Sequence, residues 1–202
     1  KVFNNNVYFY IMINLAIFIS GRGSNAQKII KYFHSHPKIQ VKLVASSNTK
    51  YSLIHTIEQP INARVYKKKD FLDGKNILIE LKKNKISFII LAGFLLKIPA
   101  IIINSFNKRI LNIHPSLLPE FGGKGMYGMN VHYAVFRAKK KETGITIHEV
   151  NKEYDKGRII FQAKCSLSNN NKPIHIQKKV QQLEHKFYPI IIEKYILLKN
   201  EN

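Results

Sequence analysis

The chain has 202 residues, of which 45 % are hydrophobic, so it is long and apolar enough for one compact domain and is not an intrinsically disordered chain. No apolar run approaches the roughly 20 residues of a membrane-spanning helix, and no membrane partner is expected. Cys165 is the single cysteine, which excludes an intramolecular disulfide and is typical of a cytoplasmic protein.

The net charge of +21 raises the question of a nucleic-acid partner. The positive residues are mostly Lys and are scattered along the whole chain, and residues with A/T-rich codons are abundant. Base composition acting on solvated surface positions explains this pattern, so nucleic acid is not an expected partner. A polyanion remains the alternative, because lysines attract polyanions whatever their origin.

Residues 1–11 precede the first strand-like run of the chain. Lys1–Ile11 lacks the continuous apolar core and the small-residue cleavage site of a signal peptide. Met12 stands just before the first strand-like run. We therefore interpret residues 1–11 as a non-native or disordered extension in front of one domain, 12–202. A short genuine extension is the alternative.

Strand-like and helix-like segments alternate along this domain. The pattern predicts a single-domain α/β fold, with a mostly parallel twisted sheet and helices on both faces. In chain order, the predicted strands are 13–20, 41–46, 64–66, 86–92, 109–114, 145–150 and 158–167. The predicted helices are 25–34, 70–84, 99–104, 131–139 and 174–198.

A glycine-rich turn joins the first strand to the first helix, with the sequence Ser20-Gly21-Arg22-Gly23-Ser24-Asn25. Glycine allows a tight turn and a close approach to a ligand. Ser24 or Asn25 is expected to cap the helix, whose free N–H groups favour a phosphate. The spacing matches neither of the common glycine motifs of nucleotide-binding proteins, so a tight turn without a ligand is the alternative.

Asn112 and His114 form a second candidate site. Residues two apart in a strand share a face, and Pro115 stops this strand directly after His114. Both side chains therefore lie at the carboxyl end of a strand, where open α/β sheets bind ligands. An amide donor beside an imidazole suits the polarisation of a carbonyl group and the stabilisation of an oxyanion. The alternative is a structural histidine without chemistry.

The strand predicted over 145–150 places Thr146 and His148 on one face, and Asp155 lies in the loop that follows. If this loop folds over the end of the sheet, Asp155 would reach His114 and raise the pKa of the imidazole through its negative charge. It would also help to relay a proton. Spacing alone favours a plain turn residue at Asp155.

Together these segments resemble the folate-dependent phosphoribosylglycinamide formyltransferase family. The resemblance is carried by IFISGRGSNAQKII (17–30), FIILAGFLLKIP (88–99), ILNIHPSLLPEFGGKGMYGMNVH (110–132), ETGITIHEVNKEYDKGRIIFQAKC (142–165) and QQLEHKFYP (181–189). It implies a Rossmann-like formyltransferase fold in a monomer or homodimer. It also implies transfer of a formyl group from 10-formyltetrahydrofolate, the co-substrate, to the amino group of 5-phosphoribosylglycinamide in purine synthesis, with no metal.

The resemblance also implies a role for each site residue. Asn112 would bind the formyl oxygen, His114 would donate a proton to the tetrahedral intermediate, and Asp155 would tune His114, with His148 in support. The implied contacts to the ribonucleotide are Gly23, Ser24, Asn25 and Glu184. The implied contacts to the folate are Lys68, Leu95, Leu96, Lys97, Ile98 and Asn112. Lys67 or Lys69 could replace Lys68, and Arg22 could aid phosphate binding or point to solvent.

Three alternative functions are weighed against this expectation. Methionyl-tRNA formyltransferases resemble the chain only over their first domain and carry a further carboxyl-terminal domain. Formyltetrahydrofolate hydrolases carry an additional amino-terminal domain. Neither is expected to fit within 202 residues. A non-catalytic nucleotide- or RNA-binding module would use the glycine-rich turn and the lysines, but it would not need Asn112, His114 and Asp155 together.

Overall fold

One sheet of seven strands runs through the part of the chain that the computed structural model describes, residues 12–48, 57 and 60–200. The strands are β1 (Ile13–Ile19), β2 (Ile39–Ser46), β3 (Asn62–Val65), β4 (Ile86–Leu91), β5 (Ile110–His114), β6 (Glu142–Glu149) and β7 (Ile159–Ser166). Their order across the sheet is β3-β2-β1-β4-β5-β6-β7. The first five are mutually parallel and β6 runs antiparallel to β5 and β7, so the predicted mostly parallel sheet is confirmed.

Helices cover both faces of this sheet. Those in the described residues are α1 (Ser24–Phe33), α2 (Lys68–Asp73), α3 (Lys75–Lys83), α4 (Ala100–Ser105), α5 (Met129–Arg137) and α6 (Pro173–Asn200). Successive strand residues point to opposite faces. In β1, Ile17 packs in the core beneath α1, α5 and α6, whereas Phe18 packs in the core beneath α2, α3 and α4. This arrangement confirms the two-faced packing expected from the sequence.

The helix predicted over 70–84 is two helices, α2 and α3, so the prediction of one continuous helix was wrong. Gly74 separates them with a φ of +76°, a left-handed conformation that favours glycine. A Cβ atom there would lie only 2.6 Å from the side chain of Pro99. The break therefore lets the chain pass close to the segment that precedes α4.

The start of the sixth strand differs from the prediction for a local reason. Strand β6 begins at Glu142 rather than at residue 145, because it pairs with β7 as far as Ser166 and Lys164 Nζ donates to Glu142 Oε1 at 2.8 Å. The polar residues of this stretch read as loop in the sequence. The predicted closing helix is confirmed as α6, which continues through Pro189.

The order of the strands places a crevice at the carboxyl edge of the sheet. The chain moves from β1 to β2 on one side and later to β4 on the other, and ligands bind in open α/β sheets at such a reversal. The proposed extension, residues 1–11, lies outside the described residues. Within the described residues, no helix is both long and apolar enough to span a bilayer.

Candidate active site

A cleft of about 850 Å³ occupies this carboxyl edge. The turn after β1, the segment after β4, the end of β5, the loop after β6 and one face of α6 all contribute to its walls. Every residue singled out from the sequence as a catalytic or binding residue lines it: Gly23, Ser24, Asn25, Lys68, Leu95, Leu96, Lys97, Ile98, Asn112, His114, His148, Asp155 and Glu184. The volume falls in the range typical of small-molecule sites.

Asn112 and His148 face each other across the pair of strands β5 and β6. His148 Nδ1 lies 2.8 Å from the carbonyl oxygen of Glu149 and donates to it, which leaves Nε2 as an acceptor. Asn112 Nδ2 donates to that Nε2 at 3.1 Å. This bond fixes the orientation of the amide. Since an amide nitrogen carries two N–H groups, the second remains for a ligand oxygen.

The imidazole of His114 is held from two sides and is almost fully buried. His114 Nε2 donates to the carbonyl oxygen of Phe121 at 2.8 Å, because a carbonyl can only accept. The opposite nitrogen, Nδ1, lies 3.6 Å from Asp155 Oδ2. The proton of the neutral ring is therefore fixed on Nε2, and Nδ1 is the atom that can gain or lose a proton.

The loop after β6 folds over the end of the sheet, as the catalytic interpretation of Asp155 required. The Gly123 N–H donates to Asp155 Oδ2 at 2.9 Å, and His148 Nε2 lies 3.6 Å from Asp155 Oδ1. Gly157 permits this closure, because a Cβ atom at that position would lie 1.6 Å from the carbonyl oxygen of Glu149. The amide, the two imidazoles and the carboxylate thus converge.

Burial and charge oppose each other in this cluster. Burial lowers the pKa of His114, and it outweighs the Asp155 charge and the Phe121 carbonyl, which raise it. The effect of Asp155 expected from the sequence is therefore present, but the net shift has the opposite sign. Burial raises the pKa of Asp155, yet the neighbouring imidazoles of His148 and His114 and the hydrogen bond from the Gly123 N–H lower it overall. Burial thus favours the neutral form of the His114 imidazole, whereas the neighbours of Asp155 favour its charged form.

The glycine-rich turn forms one end of the cleft. Helix α1 begins at Ser24 after Gly23, so the expectation that Ser24 or Asn25 caps the helix through its side chain was wrong. Asn25 Nδ2 instead donates to Glu184 Oε2 at 2.9 Å, and the Oδ1 atom of Asn25 is buried without a partner in the described structure. Burial raises the pKa of Glu184 to about 7. Arg22 is exposed at the rim.

The segment after β4 forms the other end of the cleft. Its backbone is anchored, since the Leu95 N–H donates to Ser20 Oγ at 3.0 Å. Ile98 is buried, whereas Lys97 is exposed and its Nζ lies 5.8 Å from the ring centre of Tyr154. Of the three consecutive lysines at the start of α2, Lys68 is the one that lines the cleft.

His132 is a residue of the cleft that the sequence did not single out. It lies on α5, lines the cleft and is only 4 % exposed. Its Nδ1 atom is buried and has no partner in the described part of the chain. Burial, followed by the charge of His114, lowers its pKa to about 4. The only signal in the sequence was its place directly after the glycine-rich segment that leaves the site.

Replacing His132 with glutamine is expected to make the free energy of unfolding depend less on pH below a pH of about 6.5. Below a pH of about 6.5 the unfolded chain binds a proton at His132, whereas the folded chain does so only near 4, so stability is lost as the pH falls between these values. Urea unfolding at several pH values measures this loss, at most about 3 kcal/mol. If the free energy of unfolding fell equally with pH in the wild type and in His132→Gln, this prediction would be wrong.

The fold and the cluster define the class of protein. It is an α/β protein with a cleft across the carboxyl ends of parallel strands and a cluster of titratable side chains at the floor of that cleft. The family model described as "Formyl transferase" matches residues 13–192. The chain therefore belongs to the formyl transferase family.

Individual relatives within this family share one name. The chain is 39 % identical over 186 residues to the chloroplastic phosphoribosylglycinamide formyltransferase of Arabidopsis thaliana, a match that covers 88 % of this chain and 63 % of the relative. It is 29 % identical over 200 residues to the phosphoribosylglycinamide formyltransferase of Bacillus subtilis (strain 168), covering 94 % and 97 %. It spans 63 % and 59 % of the length of the relatives from Arabidopsis thaliana and Vigna unguiculata.

Solved structures agree with the fold. The crystal structure of phosphoribosylglycinamide formyltransferase from Bacillus halodurans has a TM-score of 0.81 and 29 % sequence identity, and the match covers 94 % of this chain and 97 % of that chain. The enzyme of the same name from Anaplasma phagocytophilum has a TM-score of 0.80 and 30 % identity, covering 89 % and 84 %.

Proposed function

We propose that this chain transfers the formyl group of 10-formyltetrahydrofolate to the amino group of 5-phosphoribosylglycinamide. The products are formylglycinamide ribonucleotide and tetrahydrofolate, in the synthesis of purines. The observation that carries the proposal is the convergence of Asn112, His114 and Asp155 at the floor of one cleft, between an anion-compatible turn and an apolar segment. Membership of the formyl transferase family and the names of the relatives support the same reaction.

The ribonucleotide is assigned to the end of the cleft beside α1. Free N–H groups at the start of a helix favour a phosphate, and the first turn of α1 holds no acidic residue. Gly23, Ser24 and Asn25 would hold that group. Glu184 would contact the glycinamide side, where the pair it forms with Asn25 still offers acceptor oxygens to the N–H and O–H groups of a substrate.

The folate is assigned to the end formed by the segment after β4. Leu95, Leu96, Lys97 and Ile98 would contact it largely through their backbone groups and apolar surface, and Lys68 would meet an anionic part. The two substrates would then meet above Asn112 and His114, and holding them end to end supplies much of the rate enhancement. The proposal includes small-molecule substrates, a cytoplasmic location and a monomer or homodimer.

The reaction forms a bond from the amine nitrogen to the formyl carbon and breaks the bond from that carbon to N10 of the folate. In the tetrahedral intermediate, the formyl oxygen is negative, the attacking nitrogen has a proton to lose and N10 has one to gain. The free N–H of the Asn112 amide would bind the oxygen. Burial favours the neutral imidazole of His114, so Nδ1 would take the proton beside Asp155 and then donate it to N10.

A formyl-transfer assay with 10-formyltetrahydrofolate and a panel of amines tests the proposal. The panel contains 5-phosphoribosylglycinamide, glycinamide without the phosphoribosyl group, and methionyl-tRNA. We expect formylated product and tetrahydrofolate in equal amounts with the ribonucleotide, and far slower transfer to the other two. Faster transfer to the tRNA would contradict the proposal. Binding of RNA at physiological salt without any transfer would favour the nucleic-acid alternative instead.

A further inference from the structure

The buried hydroxyl group of Thr146, next to the site, makes three hydrogen bonds. Thr146 lies on β6 opposite His114 and has no exposed surface. Its Oγ1 donates to the carbonyl oxygen of Ser116 at 2.7 Å and accepts the N–H of Leu118 at 2.9 Å. It also accepts Gln162 Nε2 at 2.9 Å. The hydroxyl thus uses its donor and both acceptor positions.

These bonds hold the segment that follows β5, residues 116–121. Within it, Ser116 Oγ donates to the carbonyl oxygen of Glu120 at 2.8 Å, and Gln162 Nε2 donates to that of Leu118 at 3.0 Å. The segment then turns back toward the strand it left. The carbonyl oxygen of Phe121 thereby comes within 2.8 Å of His114 Nε2.

We propose that Thr146 is a positioning residue, whose hydroxyl fixes the segment 116–121 and thereby holds the proton of His114 on Nε2, with Nδ1 turned toward Asp155. Thr146 is not among the residues that line the cleft, so it acts through the segment and not through substrate. The inference rests on the proposed function for its effect on catalysis. Its effect on His114 is independent of any reaction.

Loss of the hydroxyl would leave two buried backbone groups, the Ser116 carbonyl and the Leu118 N–H, without this partner. The segment would shift, and the Phe121 carbonyl would move with it. That carbonyl raises the pKa of His114, so its displacement lowers the pKa further and frees the ring to take the other tautomer.

Thr146→Val tests the proposal, and Thr143→Val is the matched control. Thr143 lies on the same strand and is equally buried, but its Oγ1 has no partner in the described structure. We expect Thr146→Val to lower kcat about 10- to 100-fold, because a misplacement of about 1 Å costs that much, with KM nearly unchanged. Its kcat–pH profile should shift to lower pH. Thr146→Ser, which keeps the hydroxyl, should restore most of kcat.

An NMR titration of the His114 ring nitrogens in the ligand-free protein supplies a readout without turnover. We expect the Nε2–H tautomer in the wild type and in Thr143→Val, and a mixture with a lower pKa in Thr146→Val. If the wild type transfers no formyl group, the proposed function fails while this titration still decides the role of Thr146.

If Thr146→Val does not fold, Gln162→Leu, at an exposed position, should give a smaller shift of the His114 pKa in the same direction. A wild-type tautomer in Thr146→Val, or an equal change in Thr143→Val, would overturn the proposal.

Discussion

Replacing His114 with alanine is expected to lower the turnover of formyl transfer by at least about 10²-fold. The imidazole is the group whose Nδ1 can exchange a proton beside Asp155, and alanine offers neither a donor nor an acceptor in its place. The Phe121 carbonyl also loses its donor, so a loss of stability of about 1–3 kcal/mol is expected. Measurement of kcat at saturating substrate, together with circular dichroism and urea unfolding, separates the two effects.

His34→Ala is the control for this substitution, because His34 is an exposed histidine at the end of α1 and does not line the cleft. It should leave turnover unchanged. Near-normal turnover in purified, folded His114→Ala would remove His114 from the mechanism. Asn112 and the binding of two substrates in line would then have to account for the rate alone.

The pattern of apolar residues was enough to predict the sheet. Strand β4 is apolar from Phe88 to Leu91, as expected for a strand covered on both faces, and β1 divides its residues between two cores. The positions of Asn112 and His114 followed from the same reasoning, since period two puts them on one face and Pro115 ends the strand. Strand geometry is local, which is why the sequence alone revealed it.

The closing contacts of the site were not predictable in this way. Asp155 reaches His114 only because Gly157 allows the loop to approach the Glu149 carbonyl, and spacing alone favoured a plain turn. The Phe121 carbonyl and the Gly123 N–H fix the two groups, but every residue carries such backbone groups, so no side-chain pattern marks them.

The direction of the net pKa shift of His114 was also set by packing, which the sequence does not show. The sequence showed one cause of a shift, the negative charge of Asp155, and that charge does raise the pKa of His114. Burial of the His114 ring lowers the pKa and has the larger effect, and it depends on tertiary packing that the sequence does not show. In the proposed reaction, His114 would therefore accept a proton first and donate it second, as the transfer of one proton from the amine to N10 requires.

Asp155→Asn is expected to lower turnover by at least about 10²-fold through the charge alone. The amide keeps the shape of the carboxylate and can still accept the Gly123 N–H. Because the negative charge raises the pKa of His114, its removal should lower that pKa further and move the kcat–pH profile to more acidic values. The NMR titration of His114 described above should show the same shift in the ligand-free protein.

Asp73→Asn is the control, since Asp73 is exposed and pairs only loosely with Lys75, at 3.8 Å. It should change neither turnover nor the titration of His114. The decisive comparison is the double variant His114→Ala, Asp155→Asn. Because Asp155 is expected to act through His114, the double variant should be about as slow as His114→Ala alone. If the two losses multiplied instead, Asp155 would act on substrate independently, and the proton route through Nδ1 of His114 would have to be abandoned.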